Sequence, residues 1–157
     1  MMPASAKKKK IAASFPAAFW DASAIVPLCC LQPQTQAARQ ARRLFPQFVI
    51  WWATSIECNS ALRRLERAQE LTVRETQQAI QELDRLRLRW TEVAPLEEVR
   101  SLAERLLGSH PLRAADSLQL AAALIWCNRH PRGKTFVGTD EKLLEAAEKE
   151  GFNVIRM

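Results

Sequence analysis

Four carboxylates occur where a short apolar run ends or a helical pattern begins: Asp21, Glu57, Asp116 and Asp140. Asp21 closes the apolar run 18–20, and Asp140 directly follows the run 136–139. Each acid alone has an ordinary structural explanation, because a carboxylate at the amino end of a helix gains about 0.3–1 kcal/mol from the helix dipole. Gathered in one place, the four would offer a hard divalent cation the oxygen ligands that it prefers.

The elements that must position these acids are short strands alternating with longer helices. Apolar runs predict strands over residues 18–22, 48–53, 136–139 and 152–155. Helical patterns cover residues 54–69, 72–89, 96–107, 114–128 and 141–150. Gly108 and Gly151 are the expected C-terminal caps of two of these helices. Because the strands are apolar throughout, we expect an α/β fold, a three-layer α/β/α sandwich with a central parallel sheet.

In such a sheet, ligands bind beyond the carboxyl ends of the strands, near the point where the strand order reverses. Asp21 and Asp140 both follow strands, so their side chains are expected at that edge. Glu57 lies in the first turn of a helix that directly follows a strand, which aims it toward the same edge. Asp116 begins a helix that is otherwise apolar, where an unpaired charge is costly.

The length of 157 residues and the hydrophobic content of 48% suit one compact domain. Residues 1–17 are rich in Ala, Lys, Ser and Pro without a helical or strand period, so we expect a disordered basic leader followed by a single folded domain over 18–157. Four of the net +6 charges come from Lys7 to Lys10, which leaves +2 for the remainder. A mildly basic body that carries many arginines is compatible with RNA or an acidic protein as partner.

Cysteine spacing and hydropathy argue against several classes of protein. The four cysteines have neither CxxC spacing nor histidines close by, which disfavours a zinc site or a disulfide framework and favours reduced, buried thiols. No apolar run reaches the roughly 18 residues that a membrane span requires. The apolar stretch after the lysines superficially resembles a signal peptide, but Asp21 falls inside it. We therefore expect a cytoplasmic protein with no membrane partner.

The residues around the four acids resemble, in order, the four sequence blocks of PIN-domain ribonucleases. Residues 19–26 are similar to the opening block, an apolar strand that ends in Asp with Ser or Thr two residues later. The second, third and fourth blocks are similar to residues 54–64, 112–121 and 137–143 of this chain, in that order. The likeness extends over residues 19–155, and four blocks in the family's order are far more specific than any one of them.

This resemblance, to the VapC-type toxins of type II toxin–antitoxin systems, implies a magnesium-dependent endoribonuclease. Asp21, Asp116 and Asp140 would hold Mg²⁺, or Mn²⁺, directly or through water, and Glu57 would hold a further water or a second ion. Magnesium fits such a set because it prefers oxygen ligands and usually keeps several waters. A metal-activated water would then hydrolyse an RNA phosphodiester without any histidine. The resemblance also implies a cognate antitoxin and a homodimer.

Three further residues are expected to support the acids. The hydroxyls of Ser23 and Thr139 are placed to orient the carboxylates or a metal-held water, a role the resemblance also implies, while Thr139 could equally cap the last helix. Arg113 is a candidate phosphate contact, or an ordinary surface arginine. Many relatives carry His where this chain has Gln119, so Gln119 receives no role. Since four carboxylates in one pocket repel each other, at least one should have a raised pKa without metal.

Other functions stay open at the level of sequence. A PIN-fold nuclease that processes cellular RNA without a toxin role has the same chemistry, and a non-catalytic PIN-fold interaction protein is disfavoured because all four acids are present. A phosphoacceptor receiver domain also gathers acids at strand ends, but it pairs two acids early in the chain, where this sequence has Asp21 alone.

The helices expected over 54–69 and 72–89 have two possible uses. They could project as a clamp for a partner helix, or they could pack against their own sheet. The leucines that would serve either purpose are Leu62, Leu65, Leu83 and Leu86.

Overall fold

Strands and helices alternate along the chain in the computed structural model, which describes residues 15–157. The strands are β1 (Ala17–Trp20), β2 (Gln47–Trp51), β3 (Thr91–Val93), β4 (Thr135–Gly138) and β5 (Asn153–Arg156). The helices are α1 (Ala22–Cys29), α2 (Thr35–Leu44), α3 (Thr54–Arg67), α4 (Val73–Arg87), α5 (Glu97–Ser109), α6 (Ala114–Trp126) and α7 (Glu141–Glu150).

The five strands form one sheet in the order β3-β2-β1-β4-β5, and every neighbouring pair is parallel. From β1 the chain moves outward through β2 to β3, then crosses to β4 on the other side of β1 and continues to β5. The strand order therefore reverses between β1 and β4. Phe19 lies at the centre of the sheet, level with Val49 of β2 and Phe136 of β4.

Side chains that alternate along the strands divide the core between the two faces of the sheet. Phe19, Val49 and Phe136 pack with α5, α6 and α7 on one face. Trp20 and Ile50 pack with α1, α3 and α4 on the other. Both faces are covered, which is why these strands are apolar throughout. The predicted three-layer α/β/α sandwich with a central parallel sheet is confirmed.

Three elements lie outside the sequence predictions: α1, α2 and β3. Helix α1 is buried on most sides and contains Pro27, so it has no polar face to reveal a helical period. Helix α2 buries only Thr35 and two alanines, so its apolar stripe is too weak to read. The edge strand β3 has three residues, of which Thr91 and Glu92 are exposed.

Helix and strand ends differ from the predictions by a few residues. Gly151 ends α7 in the left-handed conformation at φ 111°, as expected, whereas α5 continues through Gly108 to Ser109. Strand β1 begins at Ala17, one residue before the predicted start of the folded domain, and the Pro16 carbonyl accepts a hydrogen bond from the Gln47 N–H at 3.3 Å. The remainder of the predicted leader, residues 1–14, lies outside the described residues.

The leucines considered for a partner clamp belong to the protein's own core. Leu62, Leu83 and Leu86 are buried in the layer that α1, α3 and α4 form against the sheet, and Leu65 packs against them half-buried. The clamp hypothesis is wrong for these side chains, because burying them in the fold removes them from the reach of another chain.

The cysteines are free thiols, and Cys29, Cys58 and Cys127 are buried, while Cys30 is half-buried. Among the described helices, none combines the length and the apolar character that crossing a bilayer requires.

Candidate active site

The four acids gather at the carboxyl edge of the sheet, where the strand order reverses between β1 and β4. Asp21 follows β1 directly and begins α1, and its backbone N–H donates to the Val137 carbonyl at 3.0 Å. Asp140 stands two residues beyond β4 and begins α7. Glu57 and Asp116 lie in the first turns of α3 and α6, which belong to opposite layers of the sandwich. The site is therefore a junction of both layers at one edge.

Asp21 is held rigidly by Ser23. The Ser23 backbone N–H donates to Asp21 Oδ2 at 3.1 Å, and the Ser23 hydroxyl donates to the same oxygen. The Ser23 oxygen in turn accepts a hydrogen bond from the Thr139 backbone N–H at 3.1 Å. Ser23 thus ties the β1–α1 junction to the β4–α7 junction, which fixes where the Asp21 carboxylate stands.

Asp140 has a structural role of its own at the start of α7. Its Oδ1 accepts a hydrogen bond from the Leu143 N–H at 2.9 Å, so Asp140 and not Thr139 caps this helix. The alternative prediction that Thr139 caps this helix is therefore wrong. The second oxygen of a capping carboxylate still has lone pairs for another partner.

Glu57 is bound by a side chain from the opposite layer. Gln119 Nε2 on α6 donates to Glu57 Oε1 at 3.1 Å and to Thr54 Oγ1 at 3.2 Å. Gln119 is fully buried, and its own carbonyl oxygen has no hydrogen-bond partner among the described residues. The amide therefore spans the gap between α3 and α6 and orients the Glu57 carboxylate.

Gln119 is the site residue that sequence reasoning missed. It lies three residues after Asp116 in an otherwise apolar helix, so helical spacing places the two on the same face. A lone amide on a buried apolar face needs polar partners, and that signal could have identified Gln119 without a structure. Thr54, the first residue of α3, is also part of this arrangement as a buried hydrogen-bond acceptor.

Asp116 is half-buried at the start of α6, one turn from Arg113. The Arg113 backbone N–H approaches Asp116 Oδ2 at 3.4 Å, and both this contact and the positive charge of Arg113 lower the pKa of the carboxyl. Desolvation and the nearby charge of Asp140 act in the opposite direction and prevail, so the pKa of Asp116 is raised. The Arg113 side chain is exposed, beside the acids.

The acids lie close enough together to perturb each other's ionisation. Burial raises the pKa of Asp21, and the charge of Asp116 raises it further against the hydrogen bonds from Ser23. Burial, then the charges of Asp21 and Asp116, raise the pKa of Glu57 from 4.5 to about 7, although the Gln119 hydrogen bond lowers it. These shifts match the sequence expectation of mutual repulsion within one acidic pocket.

The donor set is suited to a hard cation, but it is not drawn together as a finished metal site. Between Phe15 and Met157, no three side chains of His, Cys, Asp or Glu stand close enough to hold a metal ion. Equally, none of the eight ion pairs found in that range includes any of the four acids. Four oxygen-bearing groups outside any ion pair fit Mg²⁺ in chemistry, and a bound cation would offset the mutual repulsion of their charges.

Solved structures with the same architecture are known. One is PAE2754 from Pyrobaculum aerophilum, with 21% identity, coverage of 91% of this chain and 92% of that one, and a TM-score of 0.57. FitAcB from Neisseria gonorrhoeae gives a TM-score of 0.59 at 17% identity, with 86% and 96% of the two chains covered. The chain has a PIN-like fold. Sequence comparison with protein-family models and with curated proteins finds no match.

A toxin–antitoxin complex from Klebsiella pneumoniae is similar as well, with a TM-score of 0.54 at 16% identity and coverage of 80% of this chain and 88% of that chain. At such identities the likeness concerns the fold. It agrees with the PIN-like sandwich that the sequence blocks implied, because the matched region includes most of each chain.

Proposed function

We propose that this chain is a magnesium-dependent endoribonuclease, with Mn²⁺ as a possible substitute, and that it is the toxin of a toxin–antitoxin pair. The observation that carries the proposal is the meeting of Asp21, Glu57, Asp116 and Asp140 at the strand-order reversal without an ion-pairing cation among residues 15–157. Burying carboxylates without compensation costs stability. Such clusters of raised pKa values are typical of functional sites.

Each acid would have a distinct part in this reaction. Asp21, Asp116 and Asp140 would bind the metal, and Glu57, oriented by Gln119, would hold a water or a second ion. When bound, Mg²⁺ supplies a Lewis acid that neutralises phosphate charge and makes water a better nucleophile. Ser23 keeps Asp21 in one orientation through two hydrogen bonds to Oδ2.

The substrate would enter over exposed residues at the same edge. Arg113 is exposed next to Asp116, where its guanidinium can contact a phosphate of the RNA backbone. Phosphate contacts position a nucleic acid without reading its sequence. Arg113 would therefore contribute to RNA affinity more than to the choice of cleavage site.

The catalytic part of the proposal is tested by Asp116→Asn. Metal-ion catalysis supplies several kcal/mol of transition-state stabilisation, so we expect magnesium-dependent cleavage of RNA to fall at least about a hundredfold. The control is Glu104→Gln, which removes an exposed carboxylate on α5 outside the site. Cleavage is followed on a labelled RNA, and circular dichroism checks that both variants fold. An Asp116→Asn protein that cuts at the wild-type rate would refute the mechanism.

The toxin role rests on the fold shared with the Klebsiella toxin–antitoxin complex and on the four sequence blocks. It includes a cognate antitoxin, a homodimer and action in the cytoplasm. We expect a short open reading frame next to the gene that encodes a DNA-binding protein, and growth arrest on induction that this protein relieves. RNA cleavage without growth arrest would instead identify a nuclease that processes cellular RNA.

A further inference from the structure

Two consecutive tryptophans at the end of β2 have opposite environments. Trp51 is 5% exposed and belongs to the core, whereas Trp52 is 47% exposed. The Trp52 backbone N–H donates to the Val93 carbonyl at 3.1 Å, so the residue is anchored between β2 and β3 at the carboxyl edge of the sheet. A large aromatic surface is thus held in solvent at the edge that carries the acids.

Trp52 forms one wall of an open groove of about 460 Å³. Sites for small organic ligands have volumes of roughly 300–1,000 Å³, so the groove has room for a nucleobase. Its lining consists of Trp52, Ser55, Ile56, Asn59, Arg87 and Glu92. Two apolar side chains therefore stand among four polar ones.

The groove begins on the helical turn that holds Glu57. Ile56 is 59% exposed in the groove, and the next residue, Glu57, faces Gln119 and the acids. Consecutive residues of a helix point about 100° apart around a cylinder about 10–12 Å wide. A chain that leaves the acidic pocket across α3 therefore reaches Trp52 within roughly one helix diameter.

The chemistry of the lining suits an unpaired nucleotide. An exposed indole offers a π-face on which any base can stack. The Arg87 guanidinium lies 4.0 Å from the carboxylate of Asp84, its ion-pair partner. At that distance the guanidinium can also contact a phosphate. The Asn59 amide N–H donates to the Ser55 carbonyl at 2.9 Å, and the Asn59 amide oxygen can accept a hydrogen bond from a ligand. Glu92 accepts from the Trp90 indole N–H at 3.1 Å and can also accept from a base amino group.

We propose that Trp52 is a stacking platform for an unpaired base of the bound RNA, across α3 from the acids. This inference rests on the proposed nuclease function and names a base-binding residue of that site. A protein helix would require a continuous apolar stripe, and Trp52 and Ile56 alone do not form one. Duplex RNA keeps its bases stacked inside the helix, where Trp52 cannot reach them.

The test compares Trp52→Phe with Trp52→Leu, since both remove bulk and only the first keeps an aromatic face. Both are placed in full-length Asp116→Asn protein without metal, so that RNA is bound and not cut. Affinity is measured by fluorescence anisotropy at constant salt for oligo(A), oligo(U) and a duplex of equal length. Leu44→Ala, at an exposed residue ending α2, is the control for a change in exposed apolar surface.

We expect Trp52→Leu to weaken oligo(A) binding roughly 5- to 150-fold, the range found for loss of one base–aromatic contact. Trp52→Phe should retain most of the affinity, and Leu44→Ala should match the parent. Because adenine stacks more strongly than uracil, Trp52→Leu should also narrow the difference between oligo(A) and oligo(U). If Trp52 had a purely structural role, the substitution would weaken the binding of oligo(A) and of oligo(U) by the same factor.

Other outcomes would overturn the inference. Unchanged RNA binding by Trp52→Leu would refute the role of Trp52 as a stacking platform. Cleavage of RNA by the wild-type protein would show that the nuclease proposal still stands in that case. Weakened binding of an antitoxin with unchanged RNA binding would make the groove a protein interface. Conversely, Trp52-dependent binding by a protein that never cuts RNA would retain the platform and refute the nuclease.

Discussion

The protein treats its acids in two different ways, at the strand-order reversal between β1 and β4 and around Arg156 at the end of β5. There, Glu141 and Glu148 both receive hydrogen bonds from the Arg156 guanidinium, at 3.0 and 2.6 Å. These groups are exposed, and the contact with Arg156 lowers the pKa of Glu148. These two acids therefore share a cationic partner from the chain itself.

At the reversal between β1 and β4, Asp21, Glu57 and Asp116 are more deeply buried, and the pKa values of these three carboxyls move upward. The pKa of Asp21 is raised chiefly by burial, and that of Glu57 reaches about 7 for the same reason. A fold that needed only stability would have paired or replaced these groups, because unpaired buried charge is costly. The difference supports the proposal that these acids bind a cation.

The largest expected effect is stabilisation by the proposed Mg²⁺. Mg²⁺ at a hundred times its dissociation constant should raise the free energy of unfolding by about 2.7 kcal/mol, as for any ligand that binds only the folded state. Urea unfolding with and without MgCl₂ measures this effect, with NaCl at equal ionic strength as the control. Equal stabilisation of Asp21→Asn protein would show that the ion acts elsewhere and that the two groups of acids do not differ.

A smaller effect concerns the pH dependence of the metal-free protein. Because the pKa of Glu57 rises from 4.5 to about 7 on folding, the folded state binds more protons between these pH values. Stability should therefore fall as the pH rises from about 4.5 to about 7. Urea unfolding across this range should give a shallower slope for Glu57→Gln, and an identical slope would show that Glu57 is not perturbed. Mg²⁺ should stabilise more as the pH rises, because it binds the deprotonated carboxylates.

The smallest effect is expected at the paired acids. Glu148→Gln removes one exposed partner of Arg156, and solvent screening makes such pairs weak. We expect little change in the urea midpoint, and unchanged RNA cleavage. A loss of cleavage in Glu148→Gln would remove the distinction between the acids that serve the fold and those of the candidate site.

The sequence predicted the elements whose signals are local. Helix α7 begins at Glu141 and ends at Glu150, as its helical pattern and the C-terminal cap Gly151 indicated. The buried strands β1, β2 and β4 were visible as apolar runs that end near the predicted positions. Helix α1 has no polar face, α2 buries only Thr35 and two alanines, and β3 is too short and too polar to detect.

The candidate site divides in a similar way. The four acids, and the link of Ser23 to Asp21, follow from residues near in sequence and from the block resemblance. The contact between Gln119 and Glu57 joins residues 62 positions apart, so no local pattern could have specified it. The leucines of α3 and α4 show the same limit, since an apolar stripe does not reveal whether its partner is the same chain or another.

The sequence alone therefore determined an alternating α/β chain with carboxylates after its strands, because strand and helix periods and caps are set by neighbouring residues. Tertiary structure decided the order β3-β2-β1-β4-β5, and with it the reversal that brings Asp21 and Asp140 to one place. It also decided that Trp51 is buried while Trp52 faces solvent. Such outcomes depend on which elements pack against one another, and that choice is made by the whole core at once.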